Sequence, residues 1–330
     1  MKEIAKLAGV SQSTVSRVIN NNPNVNPEIR KKVLKYIKKY NYQPNRIARS
    51  LVNNKSYLIG VILPQISNPY FPQILESLED EANKYQYNIV LAITYGNLQR
   101  EKEQLAMLIS RRVDGIIINP TKLSQTEHIK AIKDTLPVVV CAQDLEGFDY
   151  VTVDHYLAGK LVAKYLINKG HINIGYIGHL EDKKFKGFYE EIISNNLIFD
   201  ESNHLMKPKE IYNQQNNDTI TQQYELLSKI KNNNITAIYT INDIIATKLI
   251  NLLQMHKIRV PQDVAIVGFD NTLICNLINP ALTSVAQPTR EIGQKSIEIL
   301  IKKIEIENPQ TSNIPEQVSL LPKLVERKST

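Results

Sequence analysis

No run of 18 apolar residues occurs anywhere in the 330-residue sequence, so no membrane-spanning helix is expected. No secretory leader is legible, because Lys2, Glu3 and Lys6 interrupt any apolar stretch at the start. Cysteine is scarce. Cys141 and Cys275 lie in separate apolar segments without a C-x-x-C spacing. That fits a reduced cytoplasmic compartment with both thiols as small core residues. The six histidines form no H-E-x-x-H and no paired metal spacing, and His179-Leu180-Glu181-Asp182 reads as a solvated polar loop. Gly175-x-x-Gly178 is not a dinucleotide fingerprint, and there is no P-loop. No nucleophile–base arrangement is present, and lone carboxylates such as Asp154 and Asp270 need no catalytic role. An enzyme is not expected, and neither a metal nor a cofactor is called for.

What is present is a globular composition, 42% hydrophobic and 22% charged, with a formal net charge of +7. The charge is uneven. Residues 1–60 carry twelve of the 40 Lys/Arg but two of the 33 Asp/Glu, leaving 28 basic and 31 acidic side chains for the rest. A basic head on a nearly neutral body points to a polyanion met by the head.

The head opens with Ile4-Ala5-Lys6-Leu7-Ala8-Gly9-Val10-Ser11, followed by Gln12-Ser13-Thr14-Val15-Ser16-Arg17. A short helix ends at a glycine, a tight turn follows, and a serine suited to N-capping opens a second helix. Val15, Val18 and Ile19 make its apolar stripe, which leaves Gln12, Ser13, Ser16 and Arg17 on the other side. Arg can bridge a guanine edge, and Gln or Ser can reach base edges in the major groove. Asn26-Pro27 predicts the start of a third helix, with Ile29, Val33, Tyr36, Ile37 and Tyr40 on its apolar face. The segment from Tyr42 to Leu51 predicts a further short helix, marginal alone in water and able to order on DNA with a second copy. Asn45 and Arg49 on it are candidate DNA contacts. Leu51 would suit a minor-groove wedge; the alternative is a flexible linker with an incidental leucine.

Beyond residue 57, apolar runs alternate with amphipathic helical stretches. Strands are expected at 58–63, 88–93, 115–119, 137–141, 173–177, 236–240 and 264–268. Helices are expected at 71–84, 99–111, 155–168, 219–229, 243–255 and 289–304, and Ser124-Gln125-Thr126-Glu127 reads as a capping box for another. This is doubly wound α/β with parallel sheets, long enough for two lobes and a cleft. Ligands in such folds sit beyond the strand carboxyl ends. Asn68, Tyr70, Phe71, Asn242, Asp270 and Gln287 fall there, a mixture of aromatic, amide and carboxylate groups that suits a sugar or nucleoside. Other readings stay open: Tyr70 and Phe71 as helix-start core, Asn242 as an N-cap alone, Asp270-Asn271 as a turn.

The stretches IAKLAGVSQSTVSRVIN, NYQPNRIARSL, ISNPYF, RRVDGIII, VPQDVAIVGFDN and PALTSVAQP together resemble the LacI/GalR family of bacterial transcription regulators. The resemblance implies a helix-turn-helix head over residues 1–56, with a hinge helix at about 45–53, and a periplasmic-binding-protein-like body over 57–330. It divides that body into lobe 1, about 57–156 and 288–318, and lobe 2, about 157–287 and 319–330. It places base reading on Gln12, Ser13 and Arg17, and intercalation on Leu51. Tyr70 or Phe71 would stack on the effector, with Asn242, Asp270 and Gln287 bonding it. Alanine, Ala142, stands where many sugar-binding members carry an aspartate. In the shortened loop Gly178–Phe188, Lys184 replaces an arginine; a lysine lacks the guanidinium fork. The function implied is a DNA-binding repressor of a sugar-utilisation operon. Its partners would be pseudo-palindromic double-stranded operator DNA, a second copy of the chain, and a small sugar or sugar-phosphate effector. No heptad extension follows Glu326, so a dimer is expected rather than a tetramer. The alternative within the family is a catabolite-control regulator worked by a phosphorylated carrier protein. A solute-binding protein or sugar enzyme on the same fold would lack residues 1–56.

Overall fold

Gly9 ends the first helix because its φ of 66° lies in the left-handed region, where a side chain would strain the backbone. Val10 N–H then closes onto the Ala5 carbonyl and Gly9 N–H onto Lys6, a Schellman-type stop. The resulting head has α1 (Lys2–Ala8), α2 (Gln12–Ile19) and α3 (Pro27–Lys39). Ser11 Oγ accepts the Thr14 N–H at 3.1 Å and Asn26 Oδ1 accepts the Glu28 N–H at 2.8 Å, as the cap residues predict. Ile4, Ala5, Ala8, Val15, Val18, Val25 and Val33 form the head's core. Tyr40, expected on the buried face of α3, is exposed at its end and stacks on Tyr36 instead. The computed structural model describes residues 1–19, 22–40, 55–200, 202–206, 218–305 and 314–330. The expected hinge helix, with Asn45, Arg49 and Leu51, lies outside these residues.

Two compact units result, Met1–Tyr57 and Leu58–Thr330. The second holds β1 (Leu58–Leu63), α4 (Tyr70–Lys84), β2 (Asn88–Ile93), α5 (Leu98–Ser110), β3 (Gly115–Ile118), α6 (Glu127–Lys130), β4 (Val138–Cys141) and β5 (Asp149–Val153). There follow α7 (His155–Asn168), β6 (Ile174–Ile177), α8 (Lys183–Ser194), β7 (His204–Met206), α9 (Asp218–Asn232), β8 (Ala237–Thr240) and α10 (Asp243–Met255). The unit closes with β9 (Ala265–Asp270), α11 (Ile274–Leu277), β10 (Thr283–Ala286), α12 (Thr289–Glu305), β11 (Gln317–Leu320) and β12 (Lys323–Val325).

One sheet runs β11-β5-β4-β3-β1-β2 and the other β12-β10-β9-β8-β6-β7. Every pairing is parallel except β10 with β12. Parallel strands covered by helices on both faces must be apolar throughout, and β3, β4, β6, β8 and β9 are buried along their whole length. The chain passes between the sheets after β5, after β10 and after β11. The last passage follows Leu320, because Val318, Ser319 and Leu320 still pair with β5; the expected lobe boundary at 318/319 falls inside that strand.

Two local expectations need correction. The capping box at Ser124 does not form: α6 is a single turn whose N-cap position is Thr126, which makes no side-chain capping bond and is buried. The stretch 178–188 is not all loop, because α8 begins at Lys183. Phe185, Phe188 and Ile192, spaced at i, i+3 and i+7, supply its apolar face against Tyr176 and Tyr239. Both cysteines are free and buried.

Candidate ligand cleft and nucleic-acid interface

On α2 the stripe Val15–Val18 is buried, which turns Gln12, Ser13 and Arg17 to the exposed side and leaves Ser16 half-buried. Ser13 Oγ lies 2.7 Å from Ser11 Oγ, so this hydroxyl belongs to the cap cluster as well. The head thus presents an exposed polar edge with a cation on it.

In the body, the carboxyl ends of the strands of both sheets surround a cleft of about 390 Å³. That volume is at the small end of the range for ligand sites. Asn68, Tyr70 and Phe71 enter after β1, Asn242 after β8, Asp270 ends β9, Gln287 follows β10, and Lys184 rides in the first turn of α8. The seven candidates therefore meet around one cavity.

Asp270 is the centre of a buried network. Asn68 Nδ2 donates to its Oδ2 at 3.3 Å and Gln287 Nε2 to its Oδ1 at 2.7 Å. Tyr70 Oη in turn donates to Gln287 Oε1 at 3.0 Å, and the Tyr70 N–H donates to Asn68 Oδ1 at 3.1 Å. The network joins residues from both sheets. Asp270 has φ 107°, a conformation that non-glycine residues rarely hold, and Asn271 follows at φ 53°. Such strain persists only where the surroundings impose it. Here Arg327 Nη2 holds Asn271 Oδ1 at 2.7 Å, Nη1 holds the Leu282 carbonyl at 2.8 Å and Nε holds Asn276 Oδ1 at 2.9 Å. The turn reading of Asp270-Asn271 and the cleft reading are thus both met by one structure.

Burial pushes the Asp270 carboxyl up to about 7, and the nearby Asp243 carboxylate pushes in the same direction. Asp243 lies fully buried at the start of α10. It accepts the Thr272 N–H at 2.7 Å, the Thr272 hydroxyl at 3.0 Å and the Ser284 hydroxyl at 2.5 Å. A carboxyl raised in the folded state binds its proton more tightly there than when unfolded. Its stabilisation is present at low pH and is lost as pH rises from about 4, the unfolded value, through about 7. Asp270→Asn should therefore flatten part of the decline in melting temperature between those limits. Parallel melting curves for the two proteins across that range would show that the carboxyl is not raised.

The remaining candidates have mixed roles. Asn242 does cap α10, its Oδ1 accepting the Ile245 N–H at 3.0 Å. Tyr70 is buried at the start of α4, while Phe71, edge-on to it at 5.2 Å, is half-buried. Lys184 Nζ donates to the Ile241 carbonyl at 3.1 Å and stands 4.3 Å over the Phe269 ring. Gly159 on α7 and Gly187 on α8 set where Lys184 lies. A Cβ on Gly159 would stand 1.8 Å from the Lys184 carbonyl oxygen, and one on Gly187 2.0 Å from that of Tyr156.

Sequence reasoning missed Asn119, Asp144, His155 and Phe269, which also line the cleft. Asn119 Nδ2 donates to the Cys141 carbonyl at 2.8 Å. Desolvation, with the Lys184 charge second, pushes His155 down to about 3, so its imidazole is neutral. Asp144 pairs with Lys183 across the cleft. The alanine noted at position 142 thus does not leave this loop without a carboxylate, because Asp144 supplies one two residues later. Asn119 directly follows β3 and His155 opens α7, the signal that would have found these two; Phe269 lies within β9, and Asp144 lies in the loop after β4.

Residues 1–45 match the family described as bacterial regulatory proteins, lacI family, and residues 163–330 match a periplasmic binding protein-like domain. Catabolite control protein A of Priestia megaterium is 34% identical over 321 residues, covering 94% of each chain. The HTH-type transcriptional repressor PurR of Aliivibrio fischeri is 31% identical over 313 residues, covering 92% of this chain and 91% of its own. A solved complex of the transcriptional regulator CelR with cellobiose is similar over 99% of this chain and 98% of its own, at 25% identity and a TM-score of 0.70.

Proposed function

This chain belongs to the lacI family of bacterial regulatory proteins, a DNA-binding transcriptional repressor, and from that premise we propose that its operator affinity is set by a sugar-like effector held in the cleft around Asp270. The observation that carries the effector reading is the network linking Asn68, Asp270, Gln287 and Tyr70, which gathers hydroxyl-matching groups from both sheets at one wall. Filling that wall changes the contacts between the lobes. Two copies place their α2 helices in successive major grooves, so two-fold symmetry makes the operator a pseudo-palindrome. Gln12, Ser13, Ser16 and Arg17 read bases there; Asn45, Arg49 and Leu51 serve the central minor groove. The cellobiose complex of a similar regulator supports a sugar as ligand class.

Selection of tight-binding duplexes from a random pool tests the DNA side. Arg17→Ala should cost about 1–3 kcal/mol of specific binding and relax the preference at one position of the selected sequence. An unchanged preference would remove Arg17 from the readout. A second reading, control by a phosphorylated carrier protein, draws on the identity with catabolite control protein A. It predicts that such a carrier, with no sugar present, tightens binding to the selected duplex.

A further inference from the structure

We propose that the effector is an uncharged, hydroxyl-rich molecule and that the cleft rejects its phosphate esters. This inference rests on the reading of the cleft as a sugar-like effector site and narrows it to one charge class.

The argument starts from a donor and acceptor inventory. The amide of Asn68 and the amide of Gln287 each spend a hydrogen on Asp270, and the Tyr70 hydroxyl spends its own on Gln287. The wall's strongest donors are thus directed at the wall's own carboxyl. What it still offers an incoming group is paired: the remaining lone pairs of Asp270, and the second hydrogen of each amide. A hydroxyl donates and accepts at once and matches that pairing. An ionised phosphate oxygen can only accept.

Charge leads to the same conclusion. Among the described residues lining the cleft, Asp144, Glu181, Asp182 and Asp270 face two cations, Lys183 and Lys184, and no arginine. Lys183 is paired with Asp144. Lys184 has given a donor to the Ile241 carbonyl and packs over Phe269. His155 brings no charge, and Asp243 lies buried against the Asp270 loop. Phosphate sites commonly use arginine forks or open helix N-termini. Here three helix N-termini at the cleft are met by side chains from within. Asn242 caps α10, Asp154 caps α7 through the Leu157 N–H at 2.8 Å, and Asn68 takes the Tyr70 N–H of α4. At α8 the N-cap position is Asp182, which makes no side-chain capping bond but sets a carboxylate beside that terminus. A group of about −1.5 to −2 charge would be stripped of water beside carboxylates that outnumber the cations, with the Lys184 ammonium, already bonded to the Ile241 carbonyl, left as the one lysine to receive it.

The test is calorimetric titration of the full chain with neutral aldopentoses, aldohexoses and disaccharides, each alongside its phosphate ester. At least one neutral sugar should bind, and its ester should bind at least about tenfold more weakly, one decade being the least that like-charge repulsion at a buried wall implies. Above pH 7, where the Asp270 carboxyl is ionised, Asp270→Asn should shrink that ratio, because it removes the charge and keeps the shape. An ester that binds more tightly than its parent sugar would overturn the inference while leaving the sugar reading intact. Silence across both halves of the panel would overturn the sugar reading and this inference with it.

Discussion

An Asp270→Ala variant is expected to bind the selected operator as tightly as the unsubstituted chain and to show no response to the effector. Three features make this the largest functional effect of any single change in the body. Asp270 is the acceptor that holds the Asn68 and Gln287 amides, so removing it releases residues from both sheets together. It is the cleft residue whose backbone is held farthest from ordinary conformations, at φ 107°. Its loop is braced by Arg327, so alanine keeps the backbone path while losing the chemistry. The coupling between effector and DNA in such systems is typically about 1–3 kcal/mol, or roughly 5–150-fold in affinity. All of it should vanish. Operator titrations with and without a binding sugar measure both quantities on one protein, and a variant that still responds normally would reject Asp270 as the centre of the site. Some stability also changes, because the two amides lose a buried acceptor at about 1–3 kcal/mol each, offset by relief of the charge next to Asp243.

Gly159→Ala should unfold the body most easily of all. A Cβ there would sit 1.8 Å from the Lys184 carbonyl oxygen and 2.7 Å from the Phe188 nitrogen. Both neighbours are backbone, so no rotamer change can relieve the overlap, and α8 must move away from α7. Overpacking of this kind costs about 1–3 kcal/mol, and more where backbone must shift. We expect at least the upper figure, a fall in melting temperature on the order of 6–12 °C for a unit of this size. The same movement would carry Lys184 out of register with Ile241 and Phe269. A melting temperature within a degree of the unsubstituted protein's would show that the helices separate at little cost.

Much of this architecture was legible in the sequence, for reasons that differ by element. Buried parallel strands such as Gly115–Ile118 and Val138–Cys141 carry no polar side chain and announce themselves. The helix at Pro27 is marked by its cap residue, and the cap forms. Asp149–Val153 and His204–Met206 carry no such mark, being short and partly polar, and only their pairing with neighbours makes them strands. The first turn of α8 was hidden for another reason. Lys183, Lys184 and Lys186 obscure the apolar spacing of Phe185, Phe188 and Ile192, and Gly187 within that stretch serves a packing contact with Tyr156. In the cleft, Asp270, Asn242 and Gln287 could be located because they follow strands. Their interactions could not, since Asn68 reaches Asp270 across 202 positions and Tyr70 reaches Gln287 across 217. Asp144 gains its place from a loop path that no local pattern encodes.

The passage of the chain after Leu320 has a consequence for biosynthesis. The edge strand of one sheet, Gln317–Leu320, and that of the other, Lys323–Val325, are separated by two residues. Neither sheet can be finished until that stretch has left the ribosome, and then both are finished together. The head closes its own core with residues no later than Ile37. At translation rates of roughly 5–20 residues per second, the DNA-reading end is complete some tens of seconds before the sensing end exists. A nascent chain in that interval carries a reader with nothing yet to govern it.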